Sequence, residues 1–544
     1  MQVRYPAPGM SRRRPKEGTQ EPPLAARRPA VALALSLGSG AMMALSTPPW
    51  DLVPFPWLGL AALAHLLAED EPPASRLRYW ASGALRGLLF GAGTNLVALR
   101  FVIPVVERFT PLPWAAGLAA LALLSLEQGL RFAVAAMLAV QLARRGVPRW
   151  LAFTLGNYLG TFLPAVFPWT VATGLAPHPP LLQLAAWVGE RGVAALMALT
   201  AGLAVEGVGL VREAGRARRG WAMIGAAGAI PLAMLAHGHV TTRAVAAALA
   251  EAPKARVALL QPSIEATERW VPGRAEWILA RLTELTRGAE AAVPPPDLVV
   301  WTEGVYPYQL DERTRLDPPG PAAILQPGVR GPVLAGLMMR SPAGAYNGAA
   351  VVADGRLSEP YFKMNRLVFG EYVPFGDVFP WLNRVFYRGR GLVAGKRQVR
   401  LDAGPVRAVA LVCYEDTLAG AVREAMAVGP NLLVNVTNDA WYTGTQESEL
   451  HLRLAMIRAI EVRRDMVRAV NLGETTWVDA AGRVRARYSS ADPGVLHAEP
   501  ALLDGRTLHA RIGDAPLLVL SALLVVEAVR SRRGAGRAPP GART

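Results

Sequence analysis

The apolar residues of this chain are gathered in blocks. Long apolar stretches fill roughly residues 30 to 250. Short apolar runs broken by polar ones cover about 251 to 505, and a last apolar stretch fills about 514 to 529. A helix needs about 20 apolar residues to cross the hydrocarbon core of a bilayer. By that measure the spans are 30–46, 52–68, 81–106, 113–143, 150–170, 181–211, 221–236 and 515–529, about eight in all. The fourth and sixth are long enough to be tilted or to run past the lipid. The fifth carries Asn157 and Pro164, and the seventh is short.

The middle block has a different rhythm. Its short continuous apolar runs with polar ends read as buried strands, at 256–261, 297–301, 333–339, 348–353, 406–412 and 431–436. Longer mixed runs at 274–289, 418–427 and 449–463 read as helices, the first preceded by Pro272 and Gly273. Alternating strands and helices predict an α/β layered domain. The expected organisation is a basic tail at 1–29, a membrane domain of about seven helices at 30–250, the α/β domain at 251–505, a final transmembrane helix at 513–530 and a second basic tail at 531–544. The tails are rich in Arg and Pro and read as disordered.

Composition agrees: the 544 residues are 52% hydrophobic, and the chain is too long for one ordinary domain. The formal net charge of +16 is unevenly placed. Basic residues crowd the two tails, the connection holding Arg76 and Arg78, the one holding Arg144, Arg145 and Arg149, and the one holding Arg212, Arg216, Arg218 and Arg219. The intervening short connections are nearly free of them, Arg108 excepted. Positive residues stay on the cytoplasmic side, so both termini are expected in the cytoplasm and the α/β domain on the opposite face, the periplasm of a bacterial inner membrane. The excess charge is thereby accounted for without nucleic acid. The long tail before the first span, with further spans after it, points to an uncleaved anchor rather than a signal peptide.

Three strand or loop ends carry ionisable groups. Asp297 to Trp301 leads to Glu303, Pro360-Tyr361-Phe362 leads to Lys363, and Val406 to Val412 leads to Cys413, the only cysteine of the chain. A single cysteine forms no internal disulfide and no Cys-based zinc site; free cysteine is also an ordinary core residue. A carboxylate, an amine and a thiol suit nucleophilic acyl transfer: the thiol attacks a carbonyl, the carboxylate moves the protons, and the ammonium stabilises the oxyanion. An N-cap role for Glu303 and a surface charge for Lys363 are the plainer readings of each residue alone. No phosphate-cradling glycine motif is present and the seven histidines show no paired ligand spacing, so no metal or nucleotide cofactor is expected.

The flanking residues narrow this. Trp301-Thr302-Glu303, then Lys363 followed by Phe369-Gly370-Glu371-Tyr372-Val373-Pro374, then Cys413-Tyr414-Glu415, then Asn438-Asp439-Ala440-Trp441 occur in that order. The set resembles the nitrilase (carbon-nitrogen hydrolase) superfamily and, with spans before and after, its membrane-bound apolipoprotein N-acyltransferases. The resemblance implies an αββα sandwich and a two-step reaction. An acyl chain would pass from a membrane phospholipid to Cys413 as a thioester, then to the α-amine of a lipoprotein's diacylglyceryl-cysteine. It further implies Glu303 as general base and Lys363 as oxyanion stabiliser, helped by the backbone N–H of Tyr414. Glu371 would orient Lys363, Tyr414 and Glu415 match the supporting positions that follow the nucleophile, and Trp270, Asn438 and Trp441 would lie on the substrate side. The aromatic segment 375–395 is expected to be an arm that gates lipid entry at the interface. A monomer is expected.

This chain departs from the family pattern at Thr302, where a Pro is usual, at Gly304 for Thr, at Val368 for Pro and at Asn157, where a Glu-Trp-Leu-Arg run is usual; Leu450-His451 stands for Gln-His. Two rival readings remain open. One is a membrane-tethered C–N hydrolase that uses water in place of the amine. The other is a transporter with a regulatory domain, for which Glu127, Arg131, Glu190 and Arg191 within the spans would speak.

Overall fold

The computed structural model describes residues 29–68, 76–268, 271–368, 370–376, 378–381 and 391–535. The first tail, Trp270 and much of the aromatic arm lie outside these residues.

The first part is helical: α1 Pro29–Met43, α2 Phe55–Ala68, α3 Arg76–Ala98, α4 Val102–Phe109, α5 Trp114–Arg144, α6 Arg149–Gly160, α7 Ala185–Val211 and α8 Ala217–Glu251. Among the described residues α5, α7 and α8 are long and apolar enough to cross a membrane, and α3 with α4 makes a fourth candidate bent by 58°. Residues Ala30–Ser46, Phe55–Ala68 and Ala515–Glu527 form shorter apolar helices. The expected span at 150–170 is a helix only as far as Gly160. Beyond it come Pro164 and Pro168, which bring no backbone donor to an i→i−4 ladder. The short stretch expected at 221–236 is instead the middle of the 35-residue α8. This helix continues through Pro231 for ~50 Å and delivers the chain to the first strand.

The middle block forms two sheets. One has the order β14-β1-β2-β4-β5-β6, with β3 on β4 and β7 on β5; the other is β13-β12-β11-β10-β9-β8. The strands are β1 Val257–Gln261, β2 Leu298–Val300, β3 Leu310–Asp311, β4 Val333–Ser341, β5 Gly344–Ala353, β6 Arg356–Leu357, β7 Tyr361–Phe362, β8 Arg400–Ala403, β9 Val406–Val412, β10 Leu432–Asn438, β11 Met466–Asn471, β12 Thr475–Val478, β13 Val484–Tyr488 and β14 Gly494–Ala498. Strands β9, β10 and β11 are parallel. Parallel strands have both faces covered, which is why β9 is apolar from Ala408 to Val412, past the partly exposed Arg407. Its Ala408, Ala410 and Val412 face the other sheet with Val257, Leu259 and Val300, while Val409 and Leu411 face outward.

Helix α9 Arg274–Glu290 covers the first sheet, packing Ile278, Leu279 and Leu282 on Ala258 and Leu260. Helices α10 Ala419–Ala425 and α11 Glu447–Val462 cover the second. The layers are therefore αββα. Two last helices follow, α12 Leu508–Ile512 and α13 Ala515–Ala535, the latter running five residues into the stretch expected to be a disordered tail.

Helix α11 also joins the two parts. Its Leu452, Ala455 and Met456 pack on the sheet, and its Ile457 and Ile460 enter the core of the helical bundle. A fully buried Ile contributes roughly 1.5–3 kcal/mol, whereas the attraction within a buried ion pair is largely offset by its desolvation, so apolar packing carries this junction. The buried polar groups there set its register. Helix α7 breaks at Gly189 (φ 68°, ψ 172°), which frees the Glu190 N–H to donate to Glu461 Oε1 at 2.7 Å. The Glu190 carboxylate accepts from Thr170 Oγ1 and Thr173 Oγ1, at 2.7 and 3.0 Å, and pairs with Arg458 at 2.5 Å. Arg191 pairs with Asp514 at 2.7 Å. Arg131 donates to the Leu163 and Trp169 carbonyls at 2.9 and 3.1 Å. Glu190, Arg191 and Arg131 thus hold elements together, and these three lend the transporter reading no support.

Candidate active site

Each of the three ionisable groups lies just past a strand end. Strand β2 stops at Val300, and the buried Trp301 anchors the chain by donating to Thr286 Oγ1 at 3.0 Å. Glu303 follows. The loop that carries it lies against Gly336 of β4, where a Cβ would stand 2.1 Å from the Thr302 carbonyl oxygen. Gly304 has φ +50°, a conformation glycine takes at no steric cost; a Thr here would be strained.

Lys363 leaves β7 with its N–H on the Asn347 carbonyl at 2.8 Å, and its side chain is only 2% exposed. Its Nζ lies 2.7 Å from Glu371 Oε1 and 3.9 Å from Glu303 Oε1. Asn347 Nδ2 bridges the same two carboxylates, at 2.7 Å to Glu303 and 3.4 Å to Glu371. Glu371 also accepts the Leu367 N–H at 2.8 Å, closing its own loop around the lysine.

Cys413 ends β9 with φ +55°, a left-handed residue between a strand and a short 3₁₀ helix, Cys413–Thr417. Such strain in a non-glycine residue clusters at functional sites, and here it turns the thiol out of the strand. Asn435 Nδ2 holds the Cys413 carbonyl at 2.9 Å. Glu415 is fully buried and ties this turn to the lysine loop. It accepts from the N–H groups of Val412, Met364 and Asn365, each at 2.9 Å, and from Tyr361 Oη. Tyr414 donates its hydroxyl to the Arg366 carbonyl at 2.9 Å, and its ring lies 5.4 Å from Lys363 Nζ.

The electrostatics follow from burial. Burial lifts the Cys413 thiol well above its usual range, Glu303 adding to the effect and Lys363 opposing it. The resting thiol is therefore neutral and needs a base. Burial also raises Glu303, against the pull of Lys363. For Lys363 burial disfavours the charge, but Cys413, Glu371 and Glu303 outweigh it and hold the ammonium above its usual range. With the thiol neutral, the two carboxylates are what keep it charged. A base that is easily protonated beside a cation that stays charged is the pairing acyl transfer requires.

The family model described as Apolipoprotein N-acyltransferase N-terminal domain matches residues 39–203, and the one described as Carbon-nitrogen hydrolase matches residues 256–506. An apolipoprotein N-acyltransferase from Azotobacter vinelandii is 32% identical over 530 residues, covering 93% of this chain and 96% of that one. The chain belongs to the apolipoprotein N-acyltransferase family. It is an acyltransferase. Relatives of the same name from Gloeobacter violaceus, at 30% identity, and Geobacter metallireducens, at 29%, cover 97% and 88% of this chain and 98% and 90% of their own. Among solved structures, a CN-hydrolase superfamily protein from Xanthomonas campestris covers 46% of this chain and 91% of its own, at 16% identity and a TM-score of 0.34.

In this family member, Glu303, Lys363, Glu371, Cys413, Tyr414 and Glu415 lie together. A cavity of about 90 Å³ beside Glu303 is lined by Ile264, Ala266, Asn438, Trp441 and Asn471. Asn438 Oδ1 accepts from Asn471 Nδ2 at 2.9 Å and from the Ala440 N–H at 3.2 Å, so it shapes the cavity wall. Trp441 is 41% exposed and meets Phe109 of α4 edge-on at 4.8 Å, which brings the membrane domain to the cavity mouth. Phe375, Val378, Phe379 and Trp381, at the start of the aromatic segment, are exposed. Asn347 went unrecognised in the sequence: it lies in Tyr346-Asn347-Gly348, one residue before the expected start of its strand, with nothing nearby to mark it.

Proposed function

We propose that the chain transfers an acyl group from a membrane phospholipid to the α-amine of the diacylglyceryl-cysteine of apolipoproteins, through a thioester on Cys413. Glu303 takes the thiol proton as sulfur attacks the ester carbonyl. The Lys363 ammonium and the Tyr414 N–H stabilise the oxyanion, and Glu303 returns the proton to the departing lysophospholipid oxygen. The amine then attacks the thioester, Glu303 takes its proton, and the thiol is regenerated as the amide forms. Glu371 orients Lys363, and Glu415 holds the nucleophile turn against the lysine loop. Trp270, Asn438 and Trp441 are assigned to the substrate side.

The single observation that carries this reading is a buried ammonium, 2.7 Å from Glu371 and 3.9 Å from Glu303, electrostatically coupled to a thiol on a strained turn. The membrane domain supports it, because both substrates carry acyl chains. In this reading the chain crosses a bacterial inner membrane about eight times as a monomer, with both termini cytoplasmic and the sandwich periplasmic; the segment 375–395 gates lipid entry.

The test is mass spectrometry of the full chain after exposure to phospholipid, followed by addition of a diacylglyceryl peptide. An acyl adduct on Cys413 that moves to the peptide amine is the expected result. Release of free fatty acid with no acylated peptide would favour the hydrolase.

A further inference from the structure

The short 3₁₀ helices that carry Cys413 and Trp441 are linked by a histidine that the proposed chemistry does not use. His451 projects from α11 and is 5% exposed. Its Nε2 lies 2.7 Å from Asp416 Oδ1, and Asp416 is on the same 3₁₀ helix as Cys413. Its Nδ1 lies 3.6 Å from Asp439 Oδ1, and Asp439 opens the 3₁₀ helix Asp439–Tyr442 that carries Trp441 and follows Asn438. A 3₁₀ helix has poor hydrogen-bond geometry and does little to hold itself in place. Both turns border the reaction centre, and the Asp439 charge acts on Cys413 and on Glu303.

We infer that His451 is a positioning residue, an imidazolium clamp that holds the nucleophile turn at a set distance from the Asn438–Trp441 wall of the substrate cavity. The inference rests on Cys413 being the nucleophile. A neutral imidazole serves only Asp416, through the Nε2 contact at 2.7 Å, whereas the cation also attracts the Asp439 carboxylate across the 3.6 Å ion-pair contact. The groups facing the ring are Asp416 and Asp439 from the two turns, Arg468 from β11, whose Nε holds Asp416 at 2.9 Å, and Glu447 one turn earlier on α11, whose carboxyl burial and Asp439 push up to about 8, so that it gains its charge below the pH at which the ring loses its own. Burial disfavours the cation and Arg468 repels it, but Asp416 outweighs both and the ring is pushed up to about 10. The clamp is therefore intact through neutral pH and lost as pH rises through about 10. Asp439, Glu447 and His451 also present three ligand atoms within 4.8 Å of one another, so a divalent cation is the competing occupant. The protonated ring is favoured over the ion because the buried Arg468 opposes a single positive charge less than the double charge of a metal.

The experiment uses the full chain in nanodiscs of phosphatidylethanolamine and phosphatidylglycerol. Acylation of Cys413 is followed by quenched mass spectrometry from about pH 6 to about pH 11. Wild type should acylate with a decline on the alkaline side near pH 10. His451→Gln should acylate about 10²-fold more slowly at neutral pH and lack that decline. Asp439→Asn, which keeps the Asp416 bond and the fold, should be about 10-fold slower and serves if His451→Gln fails to fold. Wild-type rates in Asp439→Asn and in any folded His451→Gln, with acyl still loading on Cys413, would overturn the clamp alone. Inactivation of the wild type by a chelator, reversed by zinc, would overturn it in favour of a metal site. An absence of acyl on wild-type Cys413 would remove the nucleophile reading and the clamp with it.

Discussion

The junction between bundle and sandwich and the pocket around Glu303 both bury several charges, and they treat them differently. At the junction between bundle and sandwich, Glu190 is saturated: two threonine hydroxyls and the Arg458 guanidinium satisfy its carboxylate, and its own N–H is taken by Glu461. In the pocket, Glu303 has one short bond, to Asn347, and stands 3.9 Å from the nearest cation. Cys413 sits there on a strained turn with its thiol held neutral. Buried charge of this kind is architecture, because the carboxylate of Glu190 has its partners. Buried charge left short of partners is free to take or give a proton, and that is where chemistry can occur.

The strongest way to break this contrast is at the sulfur. Cys413→Ala removes the one group in the pocket able to form a covalent bond with an acyl carbon. N-acylation of a diacylglyceryl peptide should fall by about 10⁴-fold or more, with the fold intact by circular dichroism. Activity within about 10-fold of wild type would mean that the poorly paired pocket is not the reaction centre.

Next in size is a loss of stability at the junction. Arg458→Met leaves Glu190 and Glu461 buried with no cation between them, and removing one partner of such a set costs about 3–5 kcal/mol. Chemical unfolding in detergent should report that loss, while the molecules that remain folded keep wild-type turnover. A variant as stable as the parent would show that these charges are not saturated as the geometry indicates.

The complementary change, Lys363→Met, should behave the opposite way. It removes an oxyanion donor, worth about 2.7–4 kcal/mol in the transition state, so acylation should slow about 10²–10³-fold. Its cost in stability should be the smaller of the two, because Glu303, already raised by burial, can take up a proton and become neutral. If unfolding measurements rank the two variants the other way round, the difference between the sites is one of burial alone.

The sequence makes parts of this contrast readable. The apolar run 406–412 coincides with β9, and the strand that supports Glu303 lies within its expected bounds, because both are covered on two faces and, Arg407 near the start of β9 apart, carry no polar interruption. Strand β11 was not read, since Arg468 and Asn471 interrupt its pattern; both are buried because the loops supply Asp416 and the Ile264 backbone as partners. Charge pairing across 268 residues, as between Glu190 and Arg458, leaves no local trace. Helix ends in the bundle are less legible: an apolar stretch at 150–170 says nothing of where the helix stops, and α6 stops at Gly160. Glu303 and Cys413 are legible because each follows an expected strand and Lys363 because the run after it resembles the family motif, whereas Asn347 and His451 act through partners far along the chain.

The smallest expected effect bears on the sign of the Glu303 shift. Its carboxyl is raised above the usual value of 4.5, so between that value and the raised one the folded chain binds a proton that the unfolded chain has released. Stability should therefore fall as pH rises through this window, and the contribution of Glu303 should vanish below it, where both states are protonated. Glu303→Gln should lose that slope. Acylation in the wild type runs against it, since the base must be ionised to accept the thiol proton, and should climb with pH through the same titration. The same carboxyl thus makes the protein less stable where it makes it active. Unfolding midpoints of the two proteins measured across this window decide the matter: parallel curves would mean that Glu303 titrates as an ordinary carboxylate, and the pocket would then be as well satisfied as the junction.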